Sequence, residues 1–327
     1  MTKKVLGMGN ALVDVLAQIN SDDVLQQFGF EKGAMYLIDT PRFLELYDLM
    51  REWPLKYATG GSAGNTILAL SNLGEPTGFI GRVGDDENAE FYKENSLRHG
   101  IDFMNVGSSG TSGVALTFIS PDGQRTFGTH LGVAARLRAE HLEKRMFAGY
   151  DFFHVEGYLT QDHTLIEHAF NMASEAGLTT SIDLASYNIV AADRRFFNHL
   201  LSKVDIVFAN EEEAEAFTGL QPEKALEVLA KKCPIAVVKV GHRGTLVARG
   251  EERVVVKARS VQLVDTTGAG DYYAAGFIYG LTHDYSLRAC AEIGTLLASE
   301  VIQVVGTTLP ETTWEGIRQE ISTLSQL

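Results

Sequence analysis

Hydrophobic positions follow two different patterns in the two parts of the chain. Beyond about residue 150, short apolar runs typical of buried strands alternate with segments of helical spacing, beginning with a strand at 152–155 and a helix at 162–176. The same alternation continues through strands at 179–183 and 206–209. Alternating strands and helices favour right-handed crossovers and a mostly parallel sheet with helices on both faces. The pattern therefore predicts an α/β fold.

The first part of the chain contains more strand pattern than such a sheet needs. Residues 5–9 predict a first strand, and residues 11–19 alternate as a second strand. Between 103 and 130 there are three short alternating runs, typical of a small antiparallel sheet. We therefore predict a separate minor sheet, formed by about 11–38 and 103–130, within one domain that spans 1–327.

The net charge of the chain is −14 at pH 7, from 28 Lys and Arg residues against 42 Asp and Glu residues. A surface that binds DNA or RNA needs basic side chains to neutralise the phosphates, so we expect no nucleic-acid partner. An acidic chain still binds a nucleotide where backbone N–H groups and magnesium offset the phosphate charge locally. The charge therefore leaves small-molecule ligands open.

Cysteine content and hydropathy point to a reducing compartment. Cys233 and Cys290 are the two cysteines, and they give neither a disulfide framework nor metal-ligand spacing. No apolar run approaches the roughly twenty residues that cross a bilayer, so we expect no membrane contact. A cytoplasmic protein is the simplest interpretation.

The strongest chemical signal is the glycine-rich segment from Val264 to Asp271. Gly268, Ala269 and Gly270 come just before a helix that is predicted to begin near Asp271. Glycines let backbone N–H groups converge, and the positive helix N-terminus adds to them, so the segment suits an anion. A carboxylate beside such an anion hole can take a proton from an alcohol. The alternative is that Asp271 only caps the helix, a common role for aspartate.

The string Asp-Thr-Thr-Gly-Ala-Gly-Asp at 265–271, with Ala-Ala-Gly-Phe at 274–277, closely resembles the C-terminal signature of the ribokinase-like (PfkB) carbohydrate and nucleoside kinases. The resemblance covers nearly the full chain, because further family motifs appear in the expected order. It implies a ribokinase-like three-layer αβα kinase domain with a mostly parallel central sheet, on which the minor sheet forms a lid. It also implies that Asp271 is the general base and that residues 268–270 form the anion hole.

The resemblance also indicates which residues bind the substrate that accepts the phosphoryl group, the acceptor. Gly60 and Gly61 look like the family's diglycine motif, a hinge for the lid, and Asn65 would contact hydroxyl groups of the substrate. Asn10 and Asp14 sit where the family's first strands present polar groups to a sugar, and the aspartate accepts hydrogen bonds from vicinal hydroxyls. Together these residues predict a small-molecule sugar or nucleoside as the partner.

A nucleotide side follows from two further motifs. Asn210 and Glu213 match the family's Asn-x-x-Glu motif, which orients Mg²⁺ and the nucleotide phosphates, the glutamate acting through water. Mg²⁺ prefers such oxygen ligands, although the acidic run at 211–215 is by itself also typical of a solvated first turn. The loop at 239–244 resembles the family's nucleotide-binding loop, although Gly-x-x-Gly alone is most often a hairpin turn. The expected ATP contacts are Asn210, Gly241, Gly244, Thr266 and Thr267.

The cofactors that the resemblance implies are ATP and Mg²⁺, together with K⁺. The family frequently uses a monovalent cation near the anion hole, held by groups of the kind found around Asp265, Thr267 and residues 301–306. We therefore expect Asp265 to help hold K⁺, and activity to change when tetramethylammonium replaces it.

Three segments favour adenosine as the acceptor. Residues 10–14, 32–35 and 181–186 look more like the adenosine-kinase-like branch than like ribokinase or fructokinase proper. Ribose, fructose and 2-keto-3-deoxygluconate stay open, because small differences in pocket shape are worth only about 1–3 kcal/mol. Four rings either stack on a base or belong to the core of the lid: Phe103, Phe118, Phe127 and His130.

Missing motifs disfavour several enzyme classes. The chain has no Gly-x-x-x-x-Gly-Lys-Ser/Thr string, no protein-kinase catalytic loop, and no third glycine after Gly7 and Gly9 for a dinucleotide fingerprint. The remaining rivals are a catalytically silent nucleotide- or sugar-binding protein on the same fold and a vitamin kinase of the wider superfamily. Intact Asp271, Asn210 and Glu213 favour an enzyme. Both a monomer and a homodimer formed through the lid are compatible with the sequence.

Overall fold

The structure, a computed structural model, describes residues 2–107, 109–122 and 124–324. The strands are β1 Val5–Met8, β2 Leu12–Gln18, β3 Met35–Leu37, β4 Leu55–Gly60, β5 Thr77–Gly81, β6 Ile101–Asn105, β7 Gly113–Ile119, β8 Arg125–His130, β9 Phe152–Glu156, β10 Thr179–Asp183, β11 Ile206–Asn210, β12 Ile235–Lys239, β13 Thr245–Arg249 and β14 Glu252–Val256. The α-helices are α1 Asp23–Gln27, α2 Thr40–Met50, α3 Ser62–Asn72, α4 Glu87–Arg98, α5 Lys144–Phe147, α6 His163–Glu175, α7 Tyr187–Ala192, α8 Arg194–Leu200, α9 Glu211–Thr218, α10 Pro222–Ala230, α11 Ala269–Thr282, α12 Leu287–Val301 and α13 Glu311–Leu324.

A nine-stranded sheet forms the centre of the molecule, in the order β14-β13-β12-β11-β10-β9-β1-β5-β6. The strands from β12 to β6 pair in parallel. The two remaining pairs, β12 with β13 and β13 with β14, are antiparallel. This arrangement confirms the mostly parallel sheet that the alternation of strands and helices predicted.

Helices cover both faces of this sheet, which gives three layers. Neighbouring strand residues point to opposite faces, so Val5 packs in one hydrophobic cluster and Leu6 in the other, as Phe208 and Val207 do on β11. Side chains of α3, α11 and α12 belong to the first cluster, and those of α6, α9 and α10 belong to the second. The predicted αβα architecture is therefore confirmed.

A second sheet has five strands, in the order β3-β8-β7-β2-β4. Its β2–β4 and β7–β8 pairs are antiparallel, whereas β2 pairs with β7, and β3 with β8, in parallel. The expected antiparallel sheet is thus a mixed one. Parallel pairing arises because β2 and β7 are joined through long intervening segments rather than through a hairpin.

The predicted boundaries of the minor sheet need two corrections. Residues 103–105 belong to β6, which pairs with β5 at the edge of the large sheet. The segment 55–60, not predicted as a strand, forms the edge strand β4. Its first four residues are exposed or only partly buried, so its apolar alternation is weak. Ser108 and Gly123, inside the predicted 103–130 segment, lie outside the described residues.

Every helix in the described ranges is too short or too polar to span a lipid bilayer.

Candidate active site

The glycine-rich segment forms the entry to α11. Gly268 is the residue before the helix and has φ +76, a left-handed conformation that favours glycine. The N–H groups of the first helical turn have no partner within the helix and carry its positive end. The predicted anion hole at Gly268, Ala269 and Gly270 therefore lies at a helix N-terminus, which begins two residues earlier than the sequence indicated.

Asp271 lies in the first turn of α11, and its carboxylate accepts two hydrogen bonds from another part of the chain. Ser62 Oγ donates to Oδ1 at 2.7 Å, and Asn65 Nδ2 donates to Oδ2 at 2.8 Å. Gly268 caps the helix, so the alternative that Asp271 is only an N-cap is wrong. Burial raises the pKa of Asp271 to about 6, while the bonds from Asn65 and Ser62 act in the opposite direction.

The diglycine segment, Gly60 and Gly61, lies near Asp271 because α3 begins immediately after it. Gly61 has φ +89, and a Cβ there would lie 2.1 Å from the carbonyl oxygen of Asn10, so the backbone requires glycine. Thr66 Oγ1 donates to the carbonyl oxygen of Asp271 at 3.1 Å. Residues 60–65 and 268–271 therefore meet, although about two hundred positions separate them.

Glu156, which was not predicted, fixes the start of α3 to the first strand. Its buried carboxylate accepts bonds from the Asn10 N–H at 3.0 Å, from Asn10 Nδ2 at 2.7 Å and from the Ala63 N–H at 2.9 Å. Burial raises the pKa of Glu156 to about 7, against these hydrogen bonds. The side-chain amide of Asn10 is thus held by Glu156 in this structure, and Asn10 is buried.

Arg125, also not predicted, connects the small sheet to the anion-hole segment. Its Nη1 lies 2.8 Å from Oδ2 of Asp265, and both side chains are less than 10% exposed. Burial raises the pKa of Asp14 to about 7, Arg125 lowers it, and Asp271 and Asp265 raise it. Asp14 thus lies among charged groups of the site, and its Oδ1 would be 2.5 Å from a Cβ on Gly60; its contact with substrate hydroxyls stays a prediction.

Asp265 has several partners besides Arg125. Its Oδ1 accepts from the Thr267 N–H at 3.2 Å and from the Thr267 hydroxyl at 2.9 Å, and its Oδ2 accepts from the Gly306 N–H at 3.0 Å. Both carboxylate oxygens are therefore engaged in this arrangement, and the K⁺ site at Asp265 stays a prediction. Thr267 orients Asp265 through these two bonds, and its contact with ATP stays a prediction.

Asn210 and Glu213 form a reciprocal cap at the start of α9. The Glu213 carboxylate accepts from the Asn210 N–H at 2.8 Å and from Asn210 Nδ2 at 2.9 Å, and Asn210 Oδ1 accepts from the Glu213 N–H at 2.8 Å. Burial, together with the negative charge of Asp183, raises the pKa of Glu213 to about 7. Both carboxylate oxygens of Glu213 therefore accept hydrogen bonds from Asn210, and a role of Glu213 at Mg²⁺ stays a prediction.

Four neighbouring parallel strands each end in a polar residue at the same edge of the sheet. These residues are Glu156 on β9, Asp183 on β10, Asn210 on β11 and Lys239 on β12. The carboxyl ends of parallel strands are where ligands bind in open α/β sheets. Sequence reasoning missed Glu156, Asp183 and Lys239 as functional residues, and their shared position at strand ends was the signal available.

A cleft of about 770 Å³ opens beside this row of strand ends. Its polar end includes Asp271, Asn210 and Lys239, and Gly241, Gly244 and Thr266 also line it. Its apolar wall consists of Val261, Leu263, Ala298 and Ile302. The size lies within the range of small-molecule and cofactor sites, and a cleft that combines apolar residues with an anion hole fits a nucleotide.

The aromatic residues considered for base stacking pack within the protein. Phe118 contacts Phe30 edge to face, with ring centroids 6.4 Å apart, and His130 stacks on Phe43 at 4.7 Å. Phe103 packs against Phe79 and Tyr92. For Phe103, Phe118 and His130 the interpretation as core residues is the one that this structure supports, and Phe127 lies partly buried on β8.

The model of the pfkB family of carbohydrate kinases matches residues 34–314. The chain belongs to this family. As a pfkB family kinase it is a phosphotransferase that acts on an alcohol group, and the family implies the use of ATP. The predicted ribokinase-like family is thereby confirmed.

Similar proteins include enzymes of the adenosine-kinase-like branch. The solved adenosine kinase from Sinorhizobium meliloti is 36% identical, with a TM-score of 0.87, over 98% of this chain and 100% of that one. A solved probable sugar kinase from Rhizobium etli CFN 42 is 33% identical, with a TM-score of 0.88, over 99% of each chain. The adenosine kinase of Schizophyllum commune is 26% identical over 96% of this chain and 98% of its own length. The pfkB kinase described here thus resembles proteins named for two different acceptors.

Proposed function

We propose that this kinase transfers the γ-phosphoryl group of ATP to a primary hydroxyl of a nucleoside or sugar, with adenosine as the leading acceptor. The observation that supports this proposal most directly is the position of Asp271. Its carboxylate lies in the first turn of α11, beside the anion hole, and is held by Ser62 and Asn65 of α3. A base and an anion hole at one point are the two elements that phosphoryl transfer to an alcohol needs.

Asp271 acts as the general base. Its pKa of about 6 leaves it ionised at neutral pH. Because this pKa is close to the working pH, the carboxylate can accept a proton from an alcohol during the transfer. The hydrogen bonds from Ser62 and Asn65 fix the direction of its two oxygens. The N–H groups of residues 268–270 then face the charge that develops on the transferring group.

The cleft residues fit a magnesium nucleotide. Gly241, Gly244, Thr266 and the apolar wall line the cleft, and Asn210 lies at its polar end. In the part of the chain that the structure describes, no group of three His, Cys, Asp or Glu side chains is placed to hold a metal by itself, and Mg²⁺ commonly takes one or two carboxylates together with substrate phosphates. When bound, Mg-ATP supplies the phosphoryl donor, and Glu213 would orient the metal through water.

The acceptor would lie between the small sheet and α3, near Asn10, Asp14, Gly60, Gly61 and Asn65. Asp14 and Asn65 supply polar groups there, and the relatives named as adenosine kinases support adenosine. The relative named as a probable sugar kinase supports the alternative, in which the acceptor is ribose, fructose or 2-keto-3-deoxygluconate.

A panel of acceptors with Mg-ATP, read out as ADP formation and as phosphorylated product, tests the proposal. Adenosine is expected to give the highest kcat/KM of the panel. A higher value with a sugar would replace adenosine by that sugar. Absence of ADP formation with every acceptor would favour a catalytically silent binding protein.

Asp271→Asn tests the base. This variant keeps the size of the side chain and removes its basicity, so we expect turnover to fall by about 10²–10⁴ while the protein still folds and binds ATP. Asp48→Asn, at an exposed position on α2, is the matched control and should keep full turnover. If the turnover of Asp271→Asn is close to that of the control, Asp271 is not the general base.

A further inference from the structure

Lys239 is a charged cleft residue that the mechanism above does not use. It ends β12, and its ammonium Nζ lies 2.6 Å from Oδ2 of Asp183, which ends β10. The two side chains are 16% and 7% exposed, and both line the cleft. Lys239 is thus a nearly buried cation whose remaining exposed surface faces the proposed nucleotide site.

The ammonium group lies against the anion hole. A Cβ built on Gly270 would be 3.0 Å from Nζ of Lys239. Gly270 is in the first turn of α11, directly before Asp271. An anion bound by the N–H groups of that turn therefore lies next to Lys239.

The surroundings of Lys239 keep it protonated. Burial lowers the pKa of Lys239, but the negative charges of Asp183, Glu213 and Asp271, with the hydrogen bond to Asp183, outweigh burial and raise it. A buried ion pair adds little net stability compared with apolar residues of the same size. Stability alone therefore gives a weak reason for a lysine at this position.

Asp183 is also held by a hydrogen bond to its second carboxylate oxygen. Oδ1 accepts a hydrogen bond from the Ala185 N–H at 2.9 Å, and Ala185 has φ 65 although it is not glycine. Such left-handed residues persist where the surrounding structure enforces them, and they are common at functional sites. Ala185 also lines the cleft. This turn holds Asp183, and through it Lys239, in one orientation.

We propose that Lys239 is a further catalytic residue, whose ammonium group turns from Asp183 to the transferring phosphoryl group and stabilises the negative charge on it. This inference rests on the proposed kinase function. The alcohol oxygen forms the new bond to phosphorus, the bond to the leaving oxygen of ADP breaks, and the alcohol proton goes to Asp271. Lys239 remains protonated throughout and contributes charge and one hydrogen bond.

The test compares Asp183→Asn with the double variant Asp183→Asn/Lys239→Met. Neither variant leaves the Asp183 carboxylate without its cation. Lys239 also lowers the pKa of Asp271, so kcat is compared at pH 8, where the base stays ionised in both variants. We expect kcat of the double variant to be lower by about 10²–10³, the usual loss when one charge-stabilising donor is removed. Lys232→Met in the Asp183→Asn background, at an exposed position before the same strand, should leave kcat unchanged.

Nucleotide binding gives a readout that needs no acceptor. Because Lys239 is assigned to the transferring group, the double variant should bind AMP-PNP about tenfold more weakly than Asp183→Asn, whereas its ADP affinity should stay within about threefold. These affinities remain informative if every acceptor fails, so loss of the proposed function and loss of the inference are distinguishable.

Two results would overturn the assignment. Equal kcat and equal AMP-PNP affinity in the two variants would mean that Lys239 only neutralises Asp183. An equal weakening of AMP-PNP and ADP would place the ammonium group on the β-phosphate instead of the transferring group.

Discussion

At the scale of single residues, the pKa of the base is set by a balance of burial and hydrogen bonds. Burial raises the pKa of Asp14 and Glu156 to about 7. Burial also raises the pKa of Asp271, to about 6, against the hydrogen bonds that Asn65 and Ser62 donate to its ionised form. Two neutral side chains from α3 therefore keep the base charged at neutral pH.

This balance predicts the pH dependence of turnover. A general base must be deprotonated, so kcat/KM should fall as the pH drops through about 6, measured with saturating Mg-ATP between pH 5 and 8. Ser62→Ala removes one donor to the carboxylate and should move the midpoint to higher pH. Ser202→Ala, on a surface loop, should leave it in place. An unchanged midpoint for Ser62→Ala would show that this hydroxyl does not tune the base.

At the scale of secondary-structure elements, the start of α3 depends on backbone that only glycine adopts readily. Gly61 precedes the helix with φ +89 and touches the carbonyl oxygen of Asn10, whereas Gly74 follows the helix with φ +95 and faces open space. Substitutions at the two ends of α3 therefore distinguish the cost of a left-handed backbone from the cost of a steric clash.

Gly61→Ala and Gly74→Ala form a matched pair for this distinction. Gly74→Ala should cost about 1–2 kcal/mol of unfolding free energy, from the left-handed conformation alone. Gly61→Ala should cost about 1–3 kcal/mol more, because its Cβ forces the chain away from Asn10, and it should also lower turnover by displacing Ser62 and Asn65. Urea unfolding and initial rates measure both effects. Equal costs would show that the contact with Asn10 relaxes freely.

The elements also show what the sequence could predict. The alternation after residue 150 predicted the large sheet correctly, because buried parallel strands leave a strong apolar pattern. The sequence could not predict which of the two sheets a strand joins. Ile101–Asn105 would have the same local pattern in either sheet, and its pairing with β5 is decided by tertiary contacts. Motif strings located Asp271 and Asn65, whereas Glu156, Asp183 and Lys239 are single polar residues whose common edge appears only in the folded sheet.

At the scale of the whole molecule, one ion pair joins the small sheet to the body. Arg125 on β8 reaches Asp265, directly before the anion-hole segment, and both are nearly buried. Arg125 also faces the charge of Asp14, whose pKa it lowers. A cation from one sheet thus balances two carboxyl groups near the acceptor side.

Removal of Arg125 should therefore affect the whole fold. Arg125→Leu leaves Asp265 without its buried cation, and breaking a buried pair from one side costs about 3–5 kcal/mol, which should appear as a lower urea midpoint. Arg145→Leu is the control, because its pair with Glu143 is exposed and such pairs contribute about 0–1 kcal/mol. Similar midpoints for the two variants would show that the link between the sheets carries little stability.

The chain passes from the small sheet to the body at Gly60 and Gly61, since β4 ends at Gly60 and α3 begins at Ser62. Both donors to Asp271 come after that junction, on the same rigid side as α11. A rotation of the small sheet about these glycines therefore changes the enclosure of the acceptor but leaves the base aligned. In this structure Arg125 of the small sheet is already paired with Asp265, and Asp14 already lies near Asp271, so the acceptor-side groups and the base are held together in one enclosed arrangement.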